Sequence, residues 1–336
     1  MAPVVGLIIG KFIPPHAGHL RLCAVAAAQV DALHVILFSK PHEPIPGALR
    51  LAWLRELLPY ATIAHIAKDH PVNYDDPDAW DYWVNAIRGV LPRAPDVVFS
   101  SEAYGGELAR RLGARHVAVD PGRWQVPISA TQIRADPMAH WDYLPAPVRP
   151  YFVRRVAIVG AECSGKTTLA QALAGALRTV WAPEYAREYL AGRRQPLTPA
   201  DLRVIARAQA AREDERARQA QRVLICDTNL ITTQLWHEHY FGDCPDDLRA
   251  LARQRAADLT LLCAAEVPWV ADGLRDAPGS RLWFQQRFQA ELTAQGRPWV
   301  LLTGSVEQRL KTALHHVQQV LLDTSANHAP ATSAFG

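Results

Sequence analysis

Gly10–His19 reads GKFIPPHAGH and follows directly on the apolar run Val4–Ile9. A strand that ends in glycine and leads into a helix presents backbone N–H groups to an anion. Gly10 lets the chain pass close to a phosphate, Lys11 and Phe12 ride on the same turn, and Pro14 and Pro15 stiffen it. His16 and His19 lie three apart at the helix mouth and share a face. Each histidine alone reads as a cap or a loop filler. Together, at this G-x-F-x-P-x-H-x-G-H spacing, they can donate hydrogen bonds to the oxygens of a pentacovalent phosphoryl transition state as charge builds there.

Ile128–Arg134, ISATQIR, supplies a complement. Ser129 or Thr131 can cap a helix whose N-terminus faces an anion. Arg134 offers a fork for the β- and γ-phosphates. An ordinary helix cap is what such a string means in isolation; its weight comes from the histidine motif in the same segment of chain. Lys40, just past the second apolar run, is a further phosphate ligand or a solvated lysine. Trp80 and Trp83 form an amphipathic stripe or give a face to a flat cation. Asp120 binds a ribose hydroxyl or ends a strand.

The second constellation is Val153–Val159 followed by GAECSGKT, a match to G-x-x-x-x-G-K-[ST] with a strand before it and a helix after. Gly160, Ala161, Glu162, Cys163, Ser164 and Gly165 would wrap phosphates with backbone N–H groups, with Thr168 just behind. Lys166 would reach the β- and γ-phosphates, and Thr167 would ligate Mg2+. VLICD, ending at Asp227, is an apolar strand closed by a carboxylate, where a Mg2+-associated aspartate sits. Glu184 and Arg187 in PEYARE fall on the acceptor side. Glu184 either handles an acceptor hydroxyl or starts a solvated helix. Val267–Arg281, with Arg275 and Arg281, is an arginine lid or a surface loop. Arg203–Arg222 alternates with acids at helical spacing, a solvated face.

These groups need elements to position them. Apolar runs at Val4–Ile9, Ala32–Phe38, Thr62–Ile66, Val97–Ser100 and His116–Val119 alternate with helix-patterned Ala17–Val30, Ala48–Leu58, Trp80–Leu91 and Gly106–Leu112. The alternation restarts with Val153–Val159, Thr179–Ala182, Val223–Cys226, Leu259–Cys263 and Trp299–Leu302, separated by helical stretches that include Thr168–Leu177, Pro199–Gln219, Arg281–Gln295 and Val306–Leu322. Strands alternating with helices mean crossovers and parallel sheets, so the expected fold class is α/β with two parallel-sheet domains. The proline-rich stretch Leu144–Arg154 is the seam. It divides residues 1–148 from 149–322, with a small polar tail at 323–336 expected to be disordered.

At 336 residues the chain is long enough for two cores. Its composition, 49% apolar and 21% charged, is globular. A net charge of +3 is nearly neutral, so it does not argue for a nucleic-acid or membrane-surface partner and none is expected, although local basic clusters could bind phosphates. The five cysteines have no metal-type spacing and suit reduced thiols in a cytoplasmic protein. No stretch approaches the roughly 20 apolar residues of a spanning helix. A homo-oligomer is left open.

The paired GKFIPPHAGH and ISATQIR motifs resemble the nucleotidyltransferase superfamily. A P-loop domain that carries DTN at Asp227–Asn229 and PWVADGLRD at Pro268–Asp276 narrows this: over residues 1–322 the chain resembles the NadR family. The resemblance implies a Rossmann-like nucleotidyltransferase followed by a P-loop kinase. It implies phosphorylation of nicotinamide riboside by ATP to nicotinamide mononucleotide (NMN) in the second half, and adenylylation of NMN by ATP to NAD, with release of pyrophosphate, in the first. Both steps would use Mg2+. By motif position His16 and His19 would contact ATP phosphates, and Arg134 would hold the leaving pyrophosphate. Enterobacterial members carry an N-terminal helix-turn-helix. Here the first strand begins at Val4, so a repressor role is not expected. Two rivals remain: a flavin-type kinase and adenylyltransferase, whose kinase lacks a P-loop, and an NAD-sensing regulator or transporter-coupled module, which would not need all of His16, His19, Lys166 and Asp227.

Overall fold

The computed structural model describes residues 2–69, 75–266 and 280–323. Two compact units divide the chain, Met1–Val148 and Arg149–Gly336.

The first unit alternates strand and helix in the order β1 (Val5–Gly10), α1 (Ala17–Ala27), β2 (Ala32–Ser39), α2 (Gly47–Leu57), β3 (Thr62–Ala67), α3 (Pro77–Arg88), β4 (Val97–Ser100), α4 (Gly105–Leu112), β5 (Arg115–Ala118) and α5 (Ala130–Ala135). The sheet order is β3-β2-β1-β4-β5, all parallel. Adjacent β1 residues serve opposite faces, as strand geometry requires. Ile8 packs with Leu22, Cys23 and Leu54 beneath α1 and α2, and Leu7 packs with Val84, Ile87 and Leu108 beneath α3 and α4. Each such fully buried aliphatic side chain contributes about 1.5–3 kcal/mol.

In the second unit α6 (Arg149–Phe152) leads into β6 (Arg154–Val159), α7 (Lys166–Ala176), β7 (Trp181–Ala182), α8 (Tyr185–Leu190), α9 (Pro199–Ala217), β8 (Val223–Asp227), α10 (Leu230–Phe241), α11 (Asp246–Gln254), β9 (Leu259–Cys263), α12 (Arg281–Gln295), β10 (Trp299–Leu302) and α13 (Val306–Leu322). This sheet is also parallel, in the order β10-β9-β6-β8-β7. Its core joins Val156 and Ile158 to Leu169 and Leu173 of α7 and to Ala313 and Val317 of α13.

The α/β class with two parallel sheets is as expected; the differences lie at edges and in short elements. Helix α3 starts three residues earlier than its apolar stripe because Asp76 caps it, accepting from the Asp78 N–H, with Pro77 next. The seam contains one helical turn, α6. Its Pro150 sits where a helix needs no N–H. Helices α10 and α11 were absent from the sequence-based pattern. Asp323 closes α13 and its carbonyl accepts from Arg154 at 2.8 Å. The rest of the expected tail, 324–336, lies outside the described residues. Among the described residues no helix is long and apolar enough to cross a membrane.

Candidate active sites

Both phosphate-type loops leave the central strand of their sheet, β1 or β6, where the chain winds first to one side and later to the other. The crevice at the strand C-termini at such a reversal is where open α/β sheets hold ligands.

In the first unit this crevice is a cavity of about 630 Å3 bordered by Gly10–Ile13, His16, His19, Ser129, Thr131 and Arg134. The two motifs therefore meet, from opposite ends of the unit. His16 is the N-cap of α1, and its Nδ1 accepts from the Gly18 N–H at 3.1 Å. His19 Nδ1 accepts from the His16 N–H at 3.3 Å. With each Nδ1 an acceptor, the neutral ring carries its proton on Nε2 and is a donor there. Burial pushes the His16 pKa down to about 4, helped by Arg123. Burial, then His16 and Arg123, hold His19 well below its usual value. Both are neutral donors at physiological pH.

Arg134 fastens the two motifs together: Nη1 donates to the Ile13 carbonyl at 2.5 Å and Nη2 to Thr131 Oγ1 at 3.2 Å. Ser129, not Thr131, caps α5, accepting from the Gln132 N–H. Lys40 borders the cavity and pairs with Asp69 at 3.4 Å; Lys11 pairs with Glu43 at 3.5 Å. A Cβ on Gly10 would meet the Phe12 ring tightly, at 3.1 Å. Trp80 is mainly core, packed with Val84 and Ile87, although its edge reaches the cavity. Trp83 meets Phe38 edge-on at 4.9 Å beside it. The Asp120 carboxylate accepts from the N–H groups of Trp124, Gln125 and Val126, so the structure employs it to fold the loop at the cavity rim. It stands two residues past the end of β5 and borders the cavity.

The sequence reading missed Arg50. Wholly buried on α2, it donates to the Lys11 carbonyl and Glu43 Oε2, each at 2.5 Å. The signal was available: 50, 53 and 54 form the buried stripe of α2, and an arginine on such a stripe needs partners. Arg21, Lys68 and Arg123 add further positive charge to the cavity wall.

In the second unit, Gly160–Gly165 forms the loop between β6 and α7, and Lys166 and Thr167 open the helix. Cys163 and Gly165 take positive φ, and a Cβ on Gly160 would lie 2.7 Å from the Cys263 carbonyl oxygen. Ser164 Oγ and Lys166 Nζ both donate to the Ala161 carbonyl, at 2.8 and 2.9 Å. Thr168 is exposed on the first turn of α7. Buried Arg309 of α13, also unforeseen, donates to the carbonyls of Ser164 and Ala264 at 2.8 and 3.2 Å. Each loop is thus tied down by one buried helix arginine.

Thr167 Oγ1 donates to Asp227 Oδ2 at 2.6 Å, while Asp227 Oδ1 is buried without a hydrogen-bond partner among the described residues. Burial, with Glu184 nearby, raises the Asp227 pKa against the Thr167 bond. A hydroxyl touching a carboxylate that keeps one buried oxygen unspent fits a hard divalent cation with oxygen ligands. Glu184, paired with Arg187 at 3.1 Å, borders a cavity of about 500 Å3 together with Gly160, Lys166 and one face of α10. Arg281 heads α12 and donates to the Ala265 carbonyl at 3.1 Å. Arg275 and the PWVADGLRD motif lie outside the described residues.

Residues 155–309 match a family model described as an AAA domain. A protein of Escherichia coli K12, the trifunctional NAD biosynthesis/regulator protein NadR, is 35% identical over 302 residues, covering 82% of this chain and 72% of the relative. The chain belongs to the NadR family. A Salmonella typhimurium LT2 relative of the same description is 35% identical over 301 residues. A crystal structure of a NadR protein in complex with NAD and AMP-PNP superposes with a TM-score of 0.78 at 21% identity, covering 95% of this chain and 96% of that one. A second, in complex with NR, gives 0.77 at 22%, covering 94% and 96%. These likenesses establish a common NadR fold.

Proposed function

We propose that the chain is a bifunctional enzyme of NAD biosynthesis: the second unit phosphorylates nicotinamide riboside to NMN, and the first joins NMN to ATP, giving NAD and pyrophosphate. The observation that carries this reading is that one NadR-family chain keeps both constellations, His16, His19 and Arg134 around one cavity and Lys166, Thr167 and Asp227 beside another.

In the kinase step the riboside 5′-oxygen bonds to the γ-phosphorus of ATP while the β–γ bridging oxygen leaves on ADP, and Glu184 takes the hydroxyl proton. Lys166 gives up the Ala161 carbonyl for the β- and γ-phosphates, and backbone N–H groups of Gly160–Thr167 hold them. Thr167 and Asp227 would hold Mg2+, which supplies charge neutralisation on the phosphates.

In the adenylyl step an NMN phosphate oxygen attacks the α-phosphorus of ATP in line and pyrophosphate departs. The neutral His16 and His19 donate through Nε2 to phosphate oxygens, and Arg134 turns its fork to the pyrophosphate. Lys11 and Lys40 flank it. No covalent enzyme intermediate is needed; the catalysis is positioning and charge stabilisation. Trp83 offers a ring to the pyridinium. On this reading the enzyme is cytoplasmic, consistent with five cysteines outside any disulfide.

Two separate assays test the reading: ADP release on adding nicotinamide riboside to ATP and Mg2+, and pyrophosphate release on adding NMN. Both should depend on the acceptor. ATP turnover indifferent to either acceptor contradicts the proposal.

A further inference from the structure

The cavity of the second unit is walled by one face of α10, where Thr232, Trp236 and Tyr240 recur every four residues and all border it. Thr232 is only 6% exposed, and its hydroxyl has no hydrogen-bond partner among the described residues. A buried unpaired hydroxyl destabilises a fold, so one placed on a cavity wall is explained by a ligand that completes it. Thr233 of the same helix also borders the cavity, but its hydroxyl is not among the buried unpaired ones, and the remaining α10 residues on the wall are aromatic. Trp236 lies 4.3 Å from Phe284 between ring centroids, with Phe284 on the cavity as well, and it stacks on Tyr240 at 5.3 Å. Helix α10 begins three residues after Asp227, so the strand that carries the candidate Mg2+ carboxylate also fixes the wall.

We propose that Thr232 is the specificity residue of the acceptor site: its hydroxyl pairs with the carboxamide of a pyridinium nucleoside whose flat ring lies along Trp236. The proposal rests on the riboside-kinase reading. A threonine hydroxyl donates to an amide oxygen or accepts from an amide N–H, so a carboxamide satisfies it in either orientation. An indole face attracts the cationic ring. A ring without the carboxamide leaves the hydroxyl unpaired, and sites built to hydrogen-bond a substrate group reject analogues that lack it.

The experiment compares kcat/KM for nicotinamide riboside and for pyridine riboside, which lacks the carboxamide, in the full-length wild type, Thr232→Val and Thr232→Ser. The wild type should prefer nicotinamide riboside by up to roughly 100-fold, the scale of one buried polar group left unpaired. Thr232→Val, which keeps the shape and removes the hydroxyl, should lose ~10-fold or more of that preference through nicotinamide riboside alone, while Thr232→Ser retains it. An unchanged preference in Thr232→Val overturns the assignment and leaves the kinase reading intact. A wild type that phosphorylates neither riboside overturns both.

Discussion

Thr167 Oγ1 and Asp227 Oδ2 are 2.6 Å apart although sixty residues separate them in the chain, because β6 and β8 are neighbours and deliver the loop and the strand end to the same sheet edge. The contact leaves the other Asp227 oxygen buried and without a hydrogen-bond partner among the described residues. Asp227→Asn preserves the hydrogen bond to Thr167 and removes the charge. It should lower riboside phosphorylation by at least ~100-fold while NAD formation from supplied NMN stays within about 2-fold, the scale of effect for losing charge compensation in phosphoryl transfer. Lys166→Ala should give the same split. Paired rate assays check it; equal loss of both activities in a folded protein contradicts the division into two sites.

The His16–His19 pair predicts a pH dependence. The His16 pKa is lowered from 6.5 to about 4 by burial. Protons bind the unfolded chain first, so this group's contribution to stability is present above 6.5 and is lost as pH falls towards about 4. In His16→Gln the melting temperature should fall less steeply across that window than in the wild type. His19→Ala should lower NAD-forming kcat by roughly 100- to 1,000-fold, with a smaller change in KM for ATP. An unchanged kcat would return His19 to a capping role.

Arg309 should prove a positioning residue for the second loop. Arg309→Leu leaves the carbonyls of Ser164, Ala264 and Gly304 without their donor. Bonds from a charged donor are worth about 1.5–3 kcal/mol each. Melting of the second unit should therefore drop by at least about 6 °C, KM for ATP in the riboside reaction should rise, and NAD formation from NMN should be spared. Calorimetry and the two assays decide it; an unshifted transition contradicts the account.

Cutting the chain between residues 148 and 149 should yield two proteins that each perform one step. Each unit has its own sheet and core, and each proposed site draws its residues from one unit. Expression of 1–148 and 149–336 with separate assays checks this. A soluble half that is inactive until the other is added back shows that a catalytic residue crosses the cut.

The legible parts of the sequence were those with a local signature. Strands showed as apolar runs, and the loops showed as Gly10–His19 and Gly160–Thr167 after such runs. Helix α10 was missed because it is buried nearly all round and its buried side includes Thr232, Thr233, Gln234 and His237, which erases the amphipathic pattern. Arg50 and Arg309 were missed for a related reason: an arginine in a helix reads as solvent-facing until its partners, Lys11 and Ser164, are known to be near. Asp120 sits at the cavity rim, but its bonds run to amides four to six residues ahead, a loop geometry that no periodicity announces.

The central claim is tested most directly by mass spectrometry of the products formed by the intact protein from nicotinamide riboside, ATP and Mg2+, with riboflavin and pantetheine phosphate offered in parallel. The account predicts NMN with ADP, followed by NAD with pyrophosphate, from the riboside alone. Phosphorylated or adenylylated product from riboflavin or pantetheine phosphate, with none from the riboside, would contradict it.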